Sequence, residues 1–304
     1  MYDADLAEWF GTATPIGDWS ADQAASYLRE VGDDALGDEL VAYQAQHPGD
    51  TFGAGKALAS VFNRFMATTN VCGFLPAQGA DRLLPVSKAA ADPALVGTPL
   101  RVTLDSLHVA KYPGKGTHTM LFDFALQSQP SQDSVPVYHY NAKFRAGDGE
   151  TVPVHDFPLF HGFSAAAEGI VFGFQIINLE SSFNKGLLDF LDTDEFKLGL
   201  SLLNFTPVLG QISQMCAGMA RWLAGQSANA PVQAFRQGLG FATSPLSGGL
   251  AEGYYVVAQI PVEFQREWNW DDWLIDPVLQ CLVQRNGTTV LDFNHFIFGL
   301  HRQH

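Results

Sequence analysis

Residues 99–179 run as short segments in which apolar and polar side chains alternate between turn residues, and the same pattern resumes over 253–300. Successive side chains of a strand point to opposite faces, so a chain patterned this way must bury one face of each strand against another layer. Residues 100–104 (Leu-Arg-Val-Thr-Leu) alternate cleanly. The phase then slips at Asp105-Ser106, so that Leu107 and Val109 become the apolar positions. One extra residue in a strand reverses its inward face, so the slip predicts a β-bulge. Met120, Phe122, Phe124 and Leu126 share one face of the next strand. Tyr138, Tyr140 and Phe144 share one face of the strand after it, with His139, Asn141, Lys143 and Arg145 opposite. Residues 170–179 are apolar on both faces and belong in a central strand covered on both sides. The pair Asn286-Gly287, between strand-like segments at 278–285 and 288–300, predicts a two-residue hairpin loop. Such a loop sets Val283 opposite Val290 and Leu282 opposite Leu291.

Helical signals flank this pattern. Ser20 and Gln23 have the spacing of a capping box, which predicts a helix from about Ala21 to Glu30, broken at Gly32. Asp33 or Asp34 caps a second helix running to about Gln46, and Leu58, Val61, Phe62 and Phe65 fit a third from about Gly53 to Thr68. Asp192 with Glu195, then Thr206-Pro207, open two further helices, the second amphipathic through Val208, Ile212, Met215, Met219 and Trp222. Residues 70–98 carry Gly73, Pro76, Gly79, Pro85, Pro93 and Gly97, a density of breakers that predicts irregular connection. The expected organisation is therefore α+β. An acidic helical cap spans 1–70, an irregular connector 71–98, and an antiparallel β-sandwich 99–304 with a helical hairpin inserted at about 185–225.

Composition bounds what such a chain does. Residues 1–60 hold eleven acids against two bases, a surplus of nine out of the net charge of −15. Nucleic acid is excluded as a partner of that segment and anionic lipid is disfavoured, because both repel a negative field. Cys72, Cys216 and Cys281 are odd in number and far apart, which predicts neither disulfides nor a CxxC metal site and fits a reducing compartment. The first residues are acidic where a secretory signal is basic, and no apolar run approaches the ~20 residues that span a bilayer, so the expectation is cytoplasmic.

The order of strands and turns from Leu100 through Leu179, beginning Leu-Arg-Val-Thr-Leu and carrying the turn Gly147-Asp148-Gly149, resembles a C2-type antiparallel β-sandwich over about a quarter of the chain. That resemblance implies a scaffold. Calcium-binding C2 domains gather several aspartates on two loops, since a hard cation takes six to eight oxygens. Here Asp148 and Asp156 flank one turn, and Asp192-x-Asp194 is explained by helix capping. No metal and no cofactor are expected.

Two groups of residues have the chemistry for a site. His155, Asp156 and His161 surround Phe157-Pro158-Leu159-Phe160, with His118 and His139 on nearby strands. Imidazole and carboxylate suit zinc or acid–base work, although the spacing follows no helix or strand period. Glu263, Glu267, Asp271 and Asp272 alternate with Trp268, Trp270 and Trp273, the residue types of a glycan site in which one acid protonates and an indole stacks on the sugar. The competing reading makes the tryptophans a buried plug with solvated acids at its rim. No G-x-S-x-G elbow, P-loop or G-x-G-x-x-G is present. The leading expectation is a non-enzymatic module that binds another protein, its oligomeric state open. A metal-dependent or glycan-processing hydrolase, using His155, Asp156 and His161 or Glu267 and Asp272, is the alternative. Calcium-independent membrane binding follows only from the C2 resemblance.

Overall fold

A computed structural model describes residues 9–10, 14–46, 68–77, 82–129, 137–179, 216, 218–220, 229–242 and 247–303. Two helices come first, α1 (Ala21–Glu30) and α2 (Asp34–Gln46). Ser20 accepts from the Gln23 amide while the Gln23 side chain accepts from the Ser20 amide, and Gly32 turns the chain at φ +79°. Ala24, Ala25, Leu28, Leu36 and Leu40 join the main core. The third helix expected at about Gly53–Thr68 and nearly all of the insertion at 185–225 lie outside the described residues.

In chain order the strands are β1 (Thr68–Pro76), β2 (Leu84–Pro85), β3 (Pro99–Val109), β4 (Thr117–Ser128), β5 (Tyr138–Gly147), β6 (Glu150–Val152) and β7 (Phe157–Ser164). There follow β8 (Ile170–Leu179), β9 (Ala230–Gly240), β10 (Gly248–Gly249), β11 (Gly253–Pro261), β12 (Trp273–Asp276), β13 (Cys281–Gln284) and β14 (His295–Arg302). The larger sheet runs β2-β1-β11-β14-β3, with β6 and β7 both paired to β3. The second runs β10-β9-β8-β4-β5, and β12 pairs with β13 alone. Every pairing of these strands is antiparallel except β9 with β10.

The two large sheets meet face to face through aromatic rings. Phe172 stacks on Phe298 and Phe174 meets Phe296 edge-on, each at 4.1 Å between centroids. Their inward partners Phe122, Phe124, Val102, Leu104 and Leu300 are fully buried, so hydrophobic burial and ring packing together close the sandwich. All ten residues of β8 are buried, as its two-sided apolar pattern predicts. The outer face of the second sheet is covered too, with Trp9 and Phe10 packing on Ala125 and Val171. That cover explains why His139 and Asn141, expected on the polar face of β5, are buried.

Three expectations change. Residues 71–76, expected in the irregular connector, belong to β1, which pairs with β11 along nine residues and lies inside the larger sheet, while 82–98 hold only the short β2 and two 3-10 turns. Gly73 there is no breaker: a Cβ would lie 2.8 Å from the Trp270 indole, so the glycine lets that ring lie on the strand. Residues 230–240, assigned to no element by pattern, form β9. The Asn286-Gly287 turn has the expected register, with a Val283–Val290 bridge and a 2.8 Å bond from the Leu291 amide to the Leu282 carbonyl. Its arms are shorter than the pattern suggests, since β13 ends at Gln284 and β14 begins only at His295. Among the described residues no helix is long and apolar enough to cross a membrane.

Candidate functional site

The outer face of the larger sheet is half covered. Trp270, Leu282, Leu291, Val256, Ala258 and Ile297 form a second core beneath the Trp loop and the β12–β13 hairpin. Trp270 is buried, and Trp268 and Trp273 stack on each other at 5.6 Å and 10°. Asp271 pairs with Arg82 at 2.6 Å, while Glu263, Glu267 and Asp272 are exposed at the rim. One indole is thus buried, and the other two, stacked on each other, are half-buried against the second core.

The uncovered half carries polar side chains in two cross-strand rows. His301, Arg101 and His161 lie opposite one another on β14, β3 and β7, and Tyr254, Gly299 and Thr103 on β11, β14 and β3. Asp105 joins them because the predicted bulge is there: Phe298 pairs with Leu104 and Ile297 with Ser106, leaving Asp105 the extra residue. Gly299 lets their side chains pack down on the sheet. A Cβ at that position would meet Thr103 Oγ1 at 2.7 Å, and Asp105 Oδ2 and His301 Nε2 at 2.8 Å each. Any other residue would collide with these three atoms, which pack directly on the strand backbone.

Backbone geometry marks the same place. Among the described residues only two non-glycines adopt positive φ, Asp156 at +53° and Gln280 at +51°. Both anchor to the bulge. The Asp156 amide donates to Asp105 Oδ1 at 3.3 Å, and the Ser106 hydroxyl donates to the Gln280 carbonyl. Left-handed backbone costs about 1 kcal/mol or more per residue and persists where surrounding contacts over-determine it, often at functional sites. Gln280 closes the turn from β12 to β13, whose tip exposes Val278 (87%) and Leu279 (47%). The Ser106–Gln280 bond thus ties a turn with two exposed apolar side chains to the bulge.

Its charges are partly matched. Arg101 pairs with Asp156. The Thr103 hydroxyl donates to Asp105 Oδ2 at 2.8 Å, but among the described residues Asp105 forms no ion pair. Partial burial, helped by the Arg101 charge and opposed by Asp156, lowers the His161 pKa below its ordinary value and leaves a neutral imidazole at pH 7. Burial, then Asp105 and Asp156, raise the Tyr254 hydroxyl, so it remains a donor. The Tyr254 ring meets His301 edge-on at 5.4 Å.

Of the sequence-derived candidates, Asp156 and His161 come together around Arg101, and His155 points to solvent without an ion pair or hydrogen bond among the described residues. His118 and His139 do not converge with them. His118 binds Asp148 at 2.9 Å, joining the β3–β4 and β5–β6 turns, and Asp148 also takes Lys111 at 2.5 Å and the Tyr112 amide at 3.1 Å. Burial alone would raise the Asp148 carboxyl, yet these bonds hold it below the usual range, so it is committed to the turn. His139 lies on the second sheet, bonded to Asp123 at 3.0 Å. Among the described residues no group of three His, Cys, Asp or Glu is placed to hold a metal ion. Arg101, Asp105, Tyr254, Gly299 and His301 were not singled out by motif. Their signals were the phase slip at Asp105 and a lone glycine inside the apolar strand 296–300. Comparison with family models, with curated proteins and with solved structures gave no match.

Proposed function

We propose that the protein is a non-enzymatic, cytoplasmic protein-interaction module on a C2-like sandwich, with α1 and α2 as an acidic cap, and that it binds through the open half of the larger sheet's outer face. One observation carries this: both left-handed non-glycine residues brace a bulge whose polar groups converge over Gly299, beside an exposed apolar lip. Exposed apolar side chains tied to a polar patch fit the anatomy of a binding surface, an apolar centre with a polar rim. Affinity purification from source lysate tests it. Wild-type bait should retain a stoichiometric partner, and Val278→Asp with Leu279→Asp should lose it, since both side chains project to solvent and the fold does not need them. No partner, together with turnover on a panel of hydrolase substrates, would contradict the proposal.

A second reading is hydrolysis by acid–base catalysis, favoured by the neutral His161 beside Asp156. It requires that His161→Asn abolish a detected activity while leaving the unfolding midpoint unchanged.

A further inference from the structure

We propose that acid releases the β12–β13 hairpin from the larger sheet, with His295 as the latch, and so takes apart the docking face to which Val278 and Leu279 belong. This rests on the interaction reading above and adds its regulation. The topology singles the hairpin out. β12 and β13 pair with each other and, among the described residues, form no ladder with either large sheet. Besides the apolar contacts of Leu282 in the second core, β13 is held by side chains that meet three consecutive residues. The Ser106 hydroxyl donates to the Gln280 carbonyl, the Thr151 hydroxyl lies against the Cys281 thiol, and His295 Nε2 accepts the Leu282 amide at 3.0 Å. At the other end the Arg285 amide donates to the Asp272 carbonyl at 2.7 Å, and Arg285 Nε donates to the Asp271 carbonyl at 2.8 Å. Those bonds involve no group that titrates in mild acid, so the tip lifts while the base stays fastened.

The latch is geometric. His295 Nδ1–H donates to the Phe293 carbonyl at 2.8 Å, so Nε2 must stay bare to accept from Leu282, and a proton there sets two donors head to head. His108 stacks on the same ring at 4.7 Å and meets Thr151 Oγ1 at 2.9 Å, so a charge on either imidazole faces the other across the stack. Three further ionisable groups surround the pair. Asp292, from the segment before β14, favours a charge on His108; the Cys281 thiol is raised by burial and neutral; Asp276, opposite Cys281 on β12, caps the Val278 and Leu279 amides. Burial outweighs Asp292, so both histidines are neutral in the closed fold and take protons more readily once the hairpin lifts and water enters. Below pH 6.5 the open form therefore binds more protons than the closed one, and acid shifts the population toward it.

The test labels Cys281 of the full chain with dithiodipyridine, which reacts with exposed thiols in mild acid, at pH 7.5, 6 and 5. Each rate is divided by that of the urea-unfolded chain at the same pH. With the closed His295 ring at about 3 and the lifted one at its ordinary 6.5, the normalised rate should rise about thirtyfold by pH 5. Normalised amide exchange across β8, buried at every residue, should stay slower than Cys281 labelling at each pH, which marks local lifting and not global unfolding. His295→Gln, whose side-chain carbonyl accepts the Leu282 amide at any pH, should remove most of the rise. An unchanged normalised rate in wild type, or equal protection of Cys281 and β8 throughout, overturns the proposal whether or not the variant folds. Lysate capture at pH 7.5 and 5 tests the regulation: wild type should lose its partner at pH 5 and His295→Gln should keep it. A lifted hairpin with the partner still held by wild type at pH 5 overturns the regulation. No partner at pH 7.5 removes the interaction reading, while the labelling alone decides the hairpin.

Discussion

His295 makes the fold's stability depend on pH in a way that can be worked from its surroundings. The ring is buried on β14, stacked on His108 at 4.7 Å and 25°. Its Nδ1–H donates to the Phe293 carbonyl at 2.8 Å, and its Nε2 accepts the Leu282 amide at 3.0 Å. Both nitrogens are satisfied only in the neutral tautomer, since a proton on Nε2 would face the Leu282 N–H. Burial, reinforced by His108, lowers the pKa from 6.5 to about 3. The unfolded chain therefore binds a proton near pH 6.5 that the folded chain refuses until about pH 3. Stability is full above pH 6.5 and falls as the pH drops through that window, by up to about 1.4 kcal/mol per unit and about 2 kcal/mol at pH 5. His108, also shifted down by burial, adds to the loss with the same sign. Urea unfolding of wild type and His295→Gln at pH 7.5, 6 and 5 measures it. The variant starts lower, having a poorer fit, but its profile should be flatter by about 2 kcal/mol over this range. Parallel profiles would refute the buried neutral imidazole.

Three other outcomes follow from the packing. Trp270→Ala should cost about 3–5 kcal/mol in denaturant unfolding, because it empties the centre of the second core above Gly73; a loss below 1 kcal/mol would mean that the Trp loop is a loose cover. Tyr255→Phe should cost about 1–3 kcal/mol, since the hydroxyl accepts the Ala251 amide at 3.0 Å and reaches the Gly249 and Ala251 carbonyls at 3.0 Å, leaving buried groups unpaired when removed. Cys216 and Cys281 are buried, and burial pushes the Cys216 thiol up to about 12 and raises that of Cys281. Both should stay unlabelled by iodoacetamide at pH 8 until the chain is unfolded, and labelling of either in the native protein would place it at the surface.

What could be read in advance was local. The capping box at Ser20, the double-sided β8, the bulge at Asp105 and the Asn286-Gly287 register each depend on a few neighbouring residues. What escaped depends on partners far along the chain. Gly73 reads as a breaker until Trp270, nearly two hundred residues later, is placed upon it. β9 hides because Gln233, on its inward side, looks polar; it is satisfied there by donating to Asn70 of β1 at 2.6 Å. The candidate site was half legible for the same reason. Asp156 and His161 showed the right chemistry but no regular period, because β7 slips register against β3, which sets His161 opposite Arg101, while Asp156 reaches Arg101 from the turn before β7. Asp105, Tyr254 and His301 come from three strands that only the sheet order makes adjacent. The tryptophan cluster was the more conspicuous motif; Trp270 is core, and Trp268 and Trp273 pack against it half-buried.

The central claim is that the open face over the bulge is where a partner sits. A photo-crosslinking amino acid at Leu279, on the turn tied to the bulge, compared with the same residue at exposed Glu39 on α2, tests it directly in source lysate. The account predicts one discrete adduct from position 279 and none from position 39. Adducts of equal yield from both positions, or from position 39 alone, would contradict it.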